Sequence, residues 1–198
     1  MKLLIHILLI YFTLAQNVFA GYEHAIDHFN LKNYKKSINE FKRFIKSDSK
    51  DVEKKSNAMF NLAVIYDYGL GAKEDKNKAI YWYKLASTHS HKIAQFNLAW
   101  MYYHGDKLEK NFFEAFRYYS LSAEQGYSKA QYNLGSLLFA GEGTIKDYTL
   151  AYKWFKISLM NGIKESEIYL KKIKGLMHED EINKAEKEVK LWIEKFNN

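Results

Sequence analysis

The sequence predicts an all-α fold in which antiparallel helix pairs stack into an α-solenoid closed by capping helices. Three observations carry this. Matching residue types recur every 36 positions through the middle of the chain. Apolar positions within each recurring unit are spaced three and four apart, the period of a helix face rather than of a strand. Helix breakers are scarce, with no proline and only 10 glycines in 198 residues, which argues against an all-β chain built on tight turns.

Composition narrows the class further. At 47% hydrophobic and 17% aromatic, the chain can bury a sizeable core and is no disordered tail. The absence of cysteine removes disulfide frameworks, thiolate metal sites, cysteine nucleophiles and cysteine-linked lipid anchors together. The formal charge of +7 is spread over scattered lysines such as Lys35-Lys36, Lys54-Lys55 and Lys171-Lys172, while Arg43 and Arg117 are the only arginines. A nucleic-acid reader concentrates charge on one face and uses arginine for base edges. The charge therefore reads as a solvated surface, and no nucleic-acid partner is expected. Weak attraction to acidic partners or anionic lipid is a secondary effect.

The first element is a processing segment. Lys2 gives a positive start, Leu3 to Leu14 is almost purely apolar, and Val18-Phe19-Ala20 places small residues where a signal peptidase reads. A signal peptide over 1–20, cleaved before Gly21, is expected. An apolar run of about 12 residues makes a helix of roughly 18 Å, short of the ~30 Å hydrocarbon core, so no stable membrane insertion is expected after cleavage. The exported chain is then periplasmic or secreted.

Three units of equal length follow. Ala58, Ala94 and Ala130 align, as do Asn61, Asn97 and Asn133, then Leu62, Leu98 and Leu134, then Gly69, Gly105 and Gly141. The second halves align at Ala79, Ala115 and Ala151, at Trp82, Tyr118 and Trp154, and at Tyr83, Tyr119 and Phe155. The units run 57–92, 93–128 and 129–164. Each first half ends at a glycine, a good helix stop. Each second half starts after Asp75, Asn111 or Asp147, whose side-chain oxygens can cap a first turn. The recurring alanines, with Ala63, Ala99 and Gly135, let paired helices approach closely.

The pattern Ala-x-x-Asn-Leu-(Ala/Gly)-x-x-Tyr-x-x-Gly-x-Gly, followed by Asp-x-x-x-Ala-x-x-Trp-Tyr, closely resembles the Sel-one-like repeat (SLR) family within the tetratricopeptide (TPR) superfamily. The resemblance implies a right-handed α-solenoid of about five helix pairs and a role as an interaction module. Lys107 replaces the second glycine in the second unit, Leu138 the loop-side tyrosine in the third, and Ser122 and Ser158 stand where the family prefers alanine.

The flanks read as caps. Residues 21–56 form a TPR-like helix pair and linker, with Tyr34, Ile38, Phe41 and Ile45 on one face. Residues 165–198 hold a partial repeat, with Ser166 in register with Ala130, and a final amphipathic helix. Ile182, Ala185, Val189, Trp192, Ile193 and Phe196 make its apolar face. A solenoid's end units need such a polar outer side.

Catalytic constellations are lacking, so no enzyme activity and no cofactor are expected. No serine sits on a strand-to-helix elbow and no glycine-rich loop precedes a Lys-Ser/Thr pair; Gly141-x-Gly143 is explained by the repeat, since Gly69-x-Gly71 occupies the same columns. His24 and His28, four apart on one helix face beside Glu23 and Asp27, are the weak candidates for a metal, as a carrier or an enzyme site. The simpler reading is an exposed polar face.

What remains is a surface for another chain. The TPR resemblance implies that first helices line a concave wall, whose outward positions in unit two are Ile93, Phe96, Trp100 and Tyr103, with His104 next; in unit three they are Lys129, Tyr132, Ser136 and Phe139. The unit-two stripe is apolar although Leu98, Ala99 and Tyr102 already serve the core. It reads either as an aromatic anchor for a bound peptide or as packing between repeats. Asn97 and Asn133 either bond an extended ligand's backbone or fasten adjacent turns. The expected binding set is Phe96, Trp100, Tyr103, His104, Tyr132, Phe139, Asn97 and Asn133, for a protein or peptide whose identity, like the oligomeric state, the sequence leaves open. A secreted factor contacting a host-cell protein is an alternative role for the same surface.

Overall fold

Each second helix of a repeat begins where a short polar side chain can satisfy a free first-turn N–H. Asp75 Oδ1 accepts from the Lys78 amide at 2.9 Å, Asn111 Oδ1 from Glu114 at 3.1 Å and Asp147 Oδ1 from Leu150 at 2.9 Å. The amides of the same three residues donate back to the carbonyls of Tyr66, Tyr102 and Leu138 near the ends of the first helices, at 2.9, 2.9 and 3.0 Å. One residue thus starts a helix and closes a hairpin. Because that closing bond uses a backbone carbonyl, Leu138 serves it as well as the tyrosines do. The first helices stop at glycines in the left-handed region, Gly105 at φ 74° and Gly141 at φ 76°, conformations that cost an L side chain roughly 1–2 kcal/mol.

The computed structural model describes residues 21–197, all of whose regular elements are helical; the expected leader at 1–20 lies outside the described residues. The chain divides into two compact units between His91 and Lys92. The first holds α1 (21–30), α2 (Tyr34–Lys46), α3 (Val52–Asp67) and α4 (Lys76–Thr88). The second holds α5 (Lys92–His104), α6 (Phe112–Glu124), α7 (Ser128–Ala140), α8 (Tyr148–Met160), α9 (Ser166–Lys174) and α10 (Glu179–Asn197). None of the helices among the described residues is long and apolar enough to cross a membrane.

In the first unit α3 pairs with α4, and α2 packs on α3. Ala25, Ile38, Phe41, Phe44, Ala58, Leu62 and Ile65 form one buried cluster there. Ser37 Oγ donates to the Ala25 carbonyl at 2.8 Å, so α1 and α2 are tied by a buried hydrogen bond as well as by apolar contact.

In the second unit α5 pairs with α6 and α7 with α8, and α7 also packs on α6. Two repeats therefore stack. Ala94, Ala115, Ala130 and Ala151 are all fully buried, and a Cβ on Gly135 would lie 3.1 Å from the Phe155 ring; small residues set how closely helices approach. Ser122 and Ser158, the departures from alanine, use their hydroxyls. Ser122 Oγ donates to the Lys92 carbonyl at 2.7 Å and Ser158 Oγ to the Ser128 carbonyl at 3.1 Å. Beside them Gln125 Nε2 donates to Gln95 Oε1 at 2.6 Å, and Asn161 Nδ2 to Gln131 Oε1 at 2.9 Å. All four bonds join residues 30 apart, so a polar rung recurs between the helices of each pair.

The second unit ends differently from a further repeat. Both α9 and α10 pack on α8. Ala185, Val189 and Trp192 of α10 are buried, and the Trp192 ring lies 5.9 Å from that of Trp154. Glu186 of α10 accepts from the Tyr152 hydroxyl at 2.6 Å and the Lys156 ammonium at 3.2 Å.

Candidate functional site

The first helices of the second unit carry their outward columns in register. Trp100 of α5, Ser136 of α7 and Lys172 of α9 share one column, and Asn133 and Tyr169 share another. A bulky residue followed by a small one at the same column leaves space between successive helices. A cleft of about 280 Å³ opens there. Trp100, Tyr103 and His104 line one side, and Asn133, Ser136 and Leu137 the floor. Tyr119 of α6 and Tyr169 of α9 complete it.

Trp100 is 42% exposed. Its ring centroid lies 4.4 Å from that of His104, which in turn is 5.0 Å from Tyr103. Tyr103 is braced from behind by Phe112 at 5.3 Å. Partial burial raises the Tyr103 phenol above its ordinary value, and the nearby Glu142 carboxylate raises it further. Burial also pushes up the Tyr119 phenol, opposed in part by the nearby Asn133 side chain. Both hydroxyls are therefore neutral and can donate or accept at the cleft wall.

The expected residues are thus sorted. Trp100, Tyr103, His104 and Asn133 meet in the cleft. Phe96 is packed against Tyr119 and Tyr127, at 5.6 and 5.1 Å. Tyr132 packs on Phe155 at 5.6 Å and edge-on against Tyr169 at 5.9 Å. Phe139 contacts Tyr148 and Tyr169 at 5.6 and 5.7 Å. Tyr132 and Phe139 therefore hold the Tyr169 ring rather than line the cleft themselves. Asn97 is half-buried outside the lining. Asn133 lines the cleft and lies near the Tyr119 phenol.

Sequence reasoning missed Tyr119, Leu137 and Tyr169 as lining residues, and placed Ser136 on the concave wall without counting it in the binding set. Tyr169 stands one period after Asn133, so its placement was readable even though its residue type had changed. Ser136 matters through the bulk it lacks, and residue chemistry alone does not signal that.

His24 is exposed on α1 and His28 half-buried, with an Nδ1 that is buried and has no hydrogen-bond partner. Among the described residues no three His, Asp or Glu side chains gather as a metal ligand set.

A family profile described as Sel1 repeat matches residues 56–91, 92–127 and 128–163. These spans cover more than half the chain, and the protein belongs to the Sel1 repeat family. Each starts one residue before the unit boundary read from spacing. Sel1 repeats are generally non-enzymatic protein–protein interaction scaffolds of the TPR-like superfamily. No curated protein matches the sequence. Among solved structures, a Sel1 repeat protein from Oxalobacter formigenes is similar at a TM-score of 0.66 and 28% identity, over 74% of this chain and 58% of that one. The protein c5321, described as a protective antigen present in uropathogenic Escherichia coli strains and displaying an SLR fold, is similar at a TM-score of 0.55 and 21% identity, over 90% of this chain and 46% of that one. The chain therefore spans about half the length of these structures.

Proposed function

We propose that this protein is an exported bacterial scaffold, periplasmic or secreted and without catalytic activity of its own, that binds a protein or peptide on the first-helix face of its second unit. The supporting observation is the cleft over Ser136, where Trp100 presents 42% of its surface to solvent beside neutral hydroxyl and amide groups. Polar groups that keep unused hydrogen-bonding capacity can fix a partner's orientation, while the aromatic supplies area. Covering an exposed aromatic contributes on the order of 2 kcal/mol, or roughly 30-fold in affinity.

The remaining residues have supporting parts. Phe96, Tyr132 and Phe139 shape the wall behind the cleft, and Asn97 extends its polar edge. The proposed layout is a leader at 1–20, a capping pair and linker at 21–56, repeats at 57–92, 93–128 and 129–164, and a C-terminal cap at 165–198.

The test is partner capture by cross-linking in the native cell, comparing the wild-type chain with Trp100→Ala/Tyr103→Ala. Loss of the adduct with an unchanged far-ultraviolet spectrum and melting temperature supports the site. Equal capture by the folded variant removes it.

A further inference from the structure

The column that makes the cleft also says what fills it. Going from α5 to α7 to α9 it reads Trp100, Ser136, Lys172: a flat aromatic wall, a gap, and a cation. The first unit has Val64 in this column, so serine is its smallest occupant. The gap of about 280 Å³ accommodates one large side chain, not a helix. Its lining offers ring faces and edges from Trp100, Tyr103, Tyr119 and Tyr169, surfaces that favour an aromatic guest in offset or edge-on contact.

The charges around it discriminate between flanking residues. Lys172 Nζ stands 5.5 Å from the Tyr169 ring centroid. Lys110 Nζ stands 6.0 Å from that of Tyr103 and 4.5 Å from that of Phe112. Neither lysine forms an ion pair among the described residues. Of the carboxylates near the lining, Glu142 acts on the Tyr103 phenol and Glu165 on the phenol of Tyr132, which packs on Tyr169. Two lysines without carboxylate partners thus stand over rings of the lining, on a chain whose formal charge is +7. Complementary charge steers encounter and rejects cationic partners.

We infer that the cleft takes one large aromatic side chain from an extended partner segment whose flanking residues are acidic. This rests on the binding face proposed above and names the chemistry it selects. The aromatic guest sits over Ser136 against Trp100, and carboxylates on either side of it meet Lys110 and Lys172.

Isothermal titration of the full chain with acetylated, amidated hexapeptides tests this. One central tyrosine is flanked by glutamates, by lysines or by alanines, and a glutamate peptide with alanine at the centre is the fourth probe. The glutamate–tyrosine peptide is expected to bind about tenfold or more tighter than the lysine–tyrosine and the glutamate–alanine peptides. Ser136→Trp fills the gap and is expected to lose the same factor, and Lys110→Glu/Lys172→Glu, at two solvent-facing positions, to invert the preference for flanking charge. The second variant stands as the test if the first fails to fold. Equal or tighter binding of the lysine peptide points to a cationic partner and overturns the inference, as does indifference to the central residue. If none of the peptides binds at millimolar concentration while cross-linking through Trp100 still captures a partner, the inference falls and the binding face stands. Loss of both removes both.

Discussion

Trp192 donates its indole N–H to the Glu124 carboxylate over 3.1 Å, joining residues 68 positions apart. The bond pins α10 to the end of α6, and Phe196 closes the same contact by lying over Gly126, where a Cβ would stand 2.3 Å from the ring. Trp192 and Phe196 are stacked at 4.6 Å. Trp192→Ala is expected to cost about 3 kcal/mol, through lost burial and a cavity beside Trp154. Trp192→Phe keeps most of the ring and loses the hydrogen bond, at about 1 kcal/mol. Urea unfolding of both variants checks the pair; equal costs would mean that the indole bond, not the packing, holds α10.

Two loop positions in equivalent columns should respond in opposite directions. Gly143, at φ 72°, lies so close to α6 that an added Cβ would sit 2.0 Å from the Phe112 carbonyl oxygen. Gly143→Ala is expected to destabilise by more than about 2 kcal/mol, since the obstacle is backbone and cannot swing away. Lys107 holds φ 60° with a side chain attached. Lys107→Gly relieves that conformation and is expected to gain about 0.5–1 kcal/mol, after allowing for the entropy of an added glycine. Thermal melts of the two variants, read against the wild type, decide both signs.

The helix caps give a graded prediction. Asp147→Ala removes the acceptor for the Leu150 amide and is expected to cost about 1 kcal/mol, with Asn111→Ala close to it. For a chain of this size that is a drop of roughly 2–4 °C in melting temperature. Asp147→Asn keeps an acceptor at the cap, so recovery of the melting temperature separates capping from general disruption.

The α10 contact also carries a pH dependence. Burial opposes ionisation of Glu186, yet hydrogen bonds from Tyr152 and Lys156 outweigh it and hold the carboxyl below its usual range. A depressed carboxylate contributes stability that is complete above its unfolded-state pKa, roughly 4, and is lost as the pH falls through the lower folded-state value. Denaturant midpoints of the wild type should therefore decline below about pH 4 more steeply than those of Glu186→Gln. Parallel curves would remove Glu186 from the account.

The repeat and its caps were legible because they are properties of residue type at fixed spacing. Asp75, Asn111 and Asp147 announced three helix starts, and Gly105 and Gly141 two stops. The paired helices of the first unit's flank were readable from apolar spacing around Ile38 and Phe41. The cleft was only half legible. Trp100 and Tyr103 stood out as aromatics not needed by the core, whereas the space between them and Tyr169 depends on Ser136 being small and on Tyr132 and Phe139 holding Tyr169 in place. Such space is a relation among several side chains and leaves no periodic mark. The path of α10 was likewise hidden: its apolar face was plain, but an amphipathic pattern does not say which neighbour it meets, and here that neighbour is α8.

The most direct measurement is site-specific photo-cross-linking in the native cell from position 100, with position 121 as the control. Leu121 is exposed to the same 42% as Trp100 but lies on α6 outside the cleft. A partner adduct from position 100, absent from 121 and lost when Ser136 is replaced by tryptophan in the same folded chain, is the result expected. Adducts of equal yield from both positions, or an adduct from 121 alone, would contradict a binding face built around Trp100.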